Sequence, residues 1–130
     1  MRYHRLIGPA FGIAAVLMLP WLALLARTLP TSASAHNWST AWVGFDVLLA
    51  AGLATTGWYA WRRDRAVILP ATATGTLLIA DAWFDVLTSA PGADFLQALV
   101  LAVGCELPVA ACCLTLAIAT YRGQPRRENG

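Results

Sequence analysis

Apolar residues fill this chain in four long blocks, and polar residues gather in the short intervals between them. The blocks run over about 6–27, 41–61, 66–88 and 95–121, each near the roughly 20 residues a helix needs to cross a hydrocarbon core. No two-residue alternation breaks them, and in lipid a single apolar run must satisfy its own backbone, so helices are the only suitable element. The pattern predicts an all-α, polytopic membrane protein. Its single domain, 1–130, is expected to hold four transmembrane helices in an antiparallel bundle, with a cytoplasmic tail at 122–130.

Prolines and small residues refine this outline. Pro9 and Pro70 fall near the starts of blocks, where proline is tolerated, whereas Pro20 lies well inside the first and predicts a kink. The basic start, the apolar run and Ala33-Ser34-Ala35 imitate a signal peptide. The run is longer than the usual core of roughly 7–15 residues, and Arg27 intrudes before the cut, so the block is read as an uncleaved helix. Gly8 with Gly12, and Ala50, Ala54 and Gly57, are expected to mark faces of close helix contact. The stretch 28–40 is read as an external polar loop containing His36 as a solvated residue.

Composition agrees with the pattern: 58% of residues are hydrophobic and 12% charged. All basic residues are Arg. Eight of the nine lie in the N-terminal tail, the central loop and the C-terminal tail, and only Arg27 falls on the other side. The positive-inside rule then puts both termini in the cytoplasm, in a multi-pass protein of the cell membrane. Trp58, Tyr59, Trp61 and Tyr121 fit an inner aromatic belt, with Trp38 and Trp42 at the outer one. Arginines in short clusters between apolar spans give no nucleic-acid surface. The three cysteines, Cys105, Cys112 and Cys113, share the last block and read as soft buried apolar residues. With no His or further Cys at ligand spacing, neither a metal nor a cofactor is expected.

Acidic residues inside the blocks change the picture most, because ionisable groups in spanning helices mark sites by default. Asp46 lies 16 residues before Arg62, Asp81 lies 16 after Arg65, and Glu106 lies 16 before Arg122. Each is therefore roughly 24 Å from its cytoplasmic anchor. The three form one layer in the outer third of a core about 30 Å thick. They are expected to converge inside the bundle and share a proton or an ion. Trp21, Trp42 and Trp83 lie within about a turn of that layer. Asp85, one turn beyond Asp81 on the same face, is read as a gate or as the salt-bridge partner of Arg27, for which Asp94 is the other choice. Pro108 cannot donate to the Gly104 carbonyl and is expected to leave it free. The result is an acidic, aromatic-walled cup open to the outside.

Ala41-Trp42-Val43-Gly44-Phe45-Asp46, Asp81-Ala82-Trp83-Phe84-Asp85 and Glu106-Leu107-Pro108 resemble segments of small four-helix membrane proteins of actinobacterial type whose function is unassigned. That resemblance covers roughly the last three helices and implies an architecture. A second likeness is to the emopamil-binding, sterol-isomerase-like four-helix group, carried by Ala41-Trp42 with Asp46 downstream and by the proline-bearing last helix. It implies a polar cavity for sterols or amphiphilic amines. This chain departs from that group in having no acid on its first helix and no His in the cavity. Small multidrug transporters have the same length, but their essential Glu lies in the first helix.

The reading that follows is a non-enzymatic membrane protein, with no catalytic residue assigned. Asp46, Asp81, Asp85, Glu106, Trp21, Trp42 and Trp83 would bind a cation, a proton or an amphiphile, or lock a homo-oligomer or larger membrane complex. A proton-coupled transporter or channel subunit and an intramembrane acid/base enzyme are the alternatives.

Overall fold

The computed structural model describes positions 34–123, together with 13, 16, 17, 19–21, 23, 24 and 27. The chain divides into two compact units, Met1–His36 and Asn37–Gly130. In the first, every described position of the expected 6–27 span is helical and exposed, Pro20, Trp21 and Arg27 included. The rest of that span, with Gly8 and Gly12, lies outside the described residues, as does the tail beyond 123.

The second unit is helical throughout its described elements. They are α1 (Trp38–Trp61), a 3₁₀ turn (Arg65–Val67), α2 (Ile68–Thr88), α3 (Ala93–Leu101), a π-helical segment (Ala102–Glu106) and α4 (Leu107–Arg122). Three continuous stretches, Trp38–Trp61, Arg65–Thr88 and Ala93–Arg122, are long and apolar enough to cross a membrane. The helix expected from 41 begins at Trp38, because Asn37 adopts a left-handed φ of 59° and its carbonyl accepts from the Ala41 N–H at 2.9 Å. Trp38, Ser39 and Thr40 thus leave the expected loop for a helical turn.

Helix α2 is the centre. Its buried residues, Ala71, Thr74, Gly75, Leu78, Asp81 and Ala82, recur in steps of three and four and form one stripe. Two clusters fix its neighbours: Val67 and Ala71 pack with Cys113 and Ala117 of α4, and Leu78 packs with Leu49 of α1 and Ala110 of α4. Small residues let these backbones approach closely. A Cβ added at Gly75 would lie 2.8 Å from Leu114 Cγ and 3.2 Å from the Ala110 carbonyl oxygen. A Cβ at Gly52 would strike the Thr74 hydroxyl. The buried Thr56 and Thr74 hydroxyls lie 3.5 Å apart across the same seam. The contact face expected at Ala50, Ala54 and Gly57 is exposed instead. The seam runs through Leu49, Gly52 and Thr56, one or two positions earlier. Of the cysteines only Cys113 is buried, and Cys105 and Cys112 are exposed on the helix surface.

The turn between α1 and α2 is a Schellman motif. The Arg63 N–H donates to the Ala60 carbonyl and the Asp64 N–H to the Tyr59 carbonyl. Such a motif needs a left-handed residue after the cap, a position glycine ordinarily fills. Here it is Arg63, at φ 54°, and a side chain in that conformation costs about 1 kcal/mol. Asp64 then caps the 3₁₀ turn, its Oδ1 accepting from the Ala66 N–H at 2.9 Å.

The last spanning stretch departs from the regular helix expected over 95–121. The Leu107 N–H donates to the Ala102 carbonyl, five residues back, which defines the π turn. Two features of the sequence account for it. Pro108 has no N–H and its ring crowds the Gly104 carbonyl in an ordinary α-helix. Ala98, Ala102, Glu106 and Ala110, all buried or half-buried, recur at every fourth residue. In an α-helix such a stripe drifts by about 40° at each step, and a π turn takes up one extra residue, cancelling most of the drift. Glu106 is thereby kept on the packed side.

Candidate functional site

Asp81 lies on the buried stripe of α2 and is only 8% exposed, the one charged residue in the core among the described residues. Asp85 follows one turn later and is half-buried. Glu106 closes the π segment, also half-buried, and its Oε2 is shielded from solvent with no hydrogen-bond partner. The carboxyl groups lie within electrostatic reach of one another. Asp81, Asp85, Asp46 and Glu106 are close enough for their carboxyl groups to interact.

Asp46 differs from this group in being exposed. Its neighbour Phe45, by contrast, packs against the Leu49–Leu78–Ala110 cluster, as Leu77 does from α2. One residue along a helix turns the direction by about 100°, which carries Asp46 off the seam. Trp83 follows the same rule. It sits two residues from both Asp81 and Asp85, so it points away from them. It is 64% exposed and lines an apolar groove of about 280 Å³ with Ile79, Leu99 and Val103. Trp21 and Arg27 are exposed in the first unit.

Near the Ser89–Gly92 turn, a cavity of about 410 Å³ opens between α1, α2 and α3. Its lining combines Asp85, Thr88 and Ser89 with Asp94 and Gln97 of α3 and with Trp38 and Trp42 of α1. Each helix contributes through residues three or four apart, which share a face. The two tryptophans pack edge to face at 5.5 Å, and Trp42 meets Phe45 at 6.2 Å. The same pair also lines a groove of about 430 Å³, together with Ala41, Phe45, Phe84 and Thr88. A polar acidic chamber and an aromatic groove therefore share one wall. Trp38, Thr88, Ser89 and Gln97 are site-lining residues that the sequence analysis did not assign. The spacing of Asp94 and Gln97 was the available signal, hidden because Asp94 falls in the polar interval between the blocks 66–88 and 95–121.

The chain matches no protein-family model, no curated protein and no solved structure. What the site can do therefore rests on its own residues. Among those described, no group of three or more His, Cys, Asp or Glu is placed to hold a metal ion. A carboxyl oxygen shut away from water without a donor either carries a proton or faces a cation, since an isolated buried charge is costly.

Proposed function

We propose that this is a small, non-enzymatic protein of the cell membrane, both termini cytoplasmic, that holds a proton or a cationic amphiphile at an acidic site in the outer half of its bundle. The unpartnered, shielded Oε2 of Glu106 beside buried Asp81 carries this reading. An ammonium head would sit in the chamber between Asp85 and Asp94, where a face of Trp42 adds about 0.5–2 kcal/mol of cation–π attraction. The apolar part would lie along Phe45 and Phe84.

Carbodiimides modify carboxyl groups that carry a proton in apolar surroundings, which makes them the direct test. The purified protein is expected to gain one carbodiimide adduct, mapped by mass spectrometry to the Asp81 or Glu106 peptide. Glu106→Gln should lose most of that labelling, and an alkyltrimethylammonium detergent should protect the unmodified protein. Labelling confined to Asp94 or the chain terminus would refute the reading.

Asp46 supports a second role, the locking of a membrane assembly, since an exposed carboxyl on a spanning helix is costly against lipid and favours a protein neighbour. On that reading Asp46→Asn shifts the mass distribution toward monomer in native mass spectrometry. An unchanged distribution discards it.

A further inference from the structure

We propose that the turn joining α1 to α2 binds the phosphate of an anionic phospholipid. Three arginines, Arg62, Arg63 and Arg65, stand exposed within four residues of one another. Arg122 ends α4 at the same end of the unit, because α4 packs its Cys113 and Ala117 against Val67 at the start of α2. The only acid among them is Asp64, whose Oδ1 is engaged by the Ala66 N–H. The group therefore carries a clear excess of positive charge.

Two details go beyond a general basic loop. Arg63 occupies the left-handed position of the Schellman motif, where glycine would fit without strain, so its side chain is kept against the local conformational preference. Arg62 has its guanidinium carbon 4.3 Å from the centroid of the Trp58 ring, a contact that holds the group beside the other arginines, where guanidinium is suited to a bidentate oxyanion. The backbone N–H groups of Arg62, Arg63 and Asp64 are taken by helix carbonyls, so recognition falls to the guanidinium groups. Trp61 and Tyr121, 77% and 66% exposed, border the arginines and suit the headgroup level of a bilayer. That depth selects a phosphodiester held in the membrane over a soluble anion.

The test compares thermal unfolding of the full chain in a zwitterionic detergent with added phosphatidylglycerol, phosphatidylcholine or inorganic phosphate. The wild type is expected to unfold at a higher temperature with phosphatidylglycerol only. Arg63→Gly should unfold at a higher temperature than wild type in detergent alone, yet bind phosphatidylglycerol about fivefold more weakly, the effect of removing one basic group at a membrane surface. Arg62→Gln with Arg65→Gln should weaken it further. An Arg63→Gly protein that keeps the full lipid response would overturn the site. An equal response to inorganic phosphate would overturn the lipid assignment. Equal stabilisation by phosphatidylcholine would show that charge plays no part.

Discussion

Asp81→Asn is expected to make the protein more stable and to weaken its hold on a cation. Asparagine keeps the volume of the side chain, so the packing around Leu78 and Ala82 is preserved. It removes an ionisable group from a cluster that also holds Asp85 and Glu106. Its amide also supplies donors to a carboxyl cluster in which Glu106 Oε2 has none. A buried acceptor that gains a partner contributes about 1–3 kcal/mol. An increase of that size should appear as a higher unfolding temperature in detergent, while affinity for alkyltrimethylammonium, followed through tryptophan fluorescence, falls at least about tenfold (~1.4 kcal/mol). Opposite movement of stability and binding is how a site, as distinct from a structural hydrogen bond, responds. Loss of stability with binding intact would make Asp81 a structural residue.

Gly75→Val is expected to be the most damaging packing change. The new side chain would meet Leu114 and the Ala110 carbonyl, and the latter is backbone that cannot rotate aside. Overpacking of this kind costs about 1–3 kcal/mol. Gly57→Val on α1 is the control, since nothing lies within 4 Å of a Cβ there. Denaturant titration in mixed micelles should separate the two variants clearly. Equal losses would mean that the α2–α4 contact is looser than its geometry indicates.

Element type and length were legible in the sequence, because apolar blocks of spanning length must satisfy their own backbone as helices. The three described spans and the chain reversals between them follow from the same blocks of apolar and polar residues. Direction around each helix was much less legible. Asp46 and Phe45 differ by one residue, yet Phe45 packs on the seam and Asp46 does not. Trp83 lies between Asp81 and Asp85 along the chain and faces the other way. Ala50, Ala54 and Gly57 make as plausible a small face as Leu49, Gly52 and Thr56 when α1 is read alone. Only the stripe on α2 decides between them, and that is information from a different helix. Pro108 announced a disturbed turn, but the remedy, a π turn that keeps Glu106 inward, depends on the fourfold spacing of Ala98, Ala102, Glu106 and Ala110. That spacing becomes meaningful once one knows which side is packed.

The shared wall formed by Trp38 and Trp42 has a thermodynamic consequence. Trp38, Trp42 and Thr88 line both the chamber and the groove, so filling either compartment alters the surface offered to the other. Two occupants, or the two ends of one, cannot then bind independently. Whatever factor a charged guest in the chamber applies to the affinity of an apolar guest in the groove, the apolar guest must return in full.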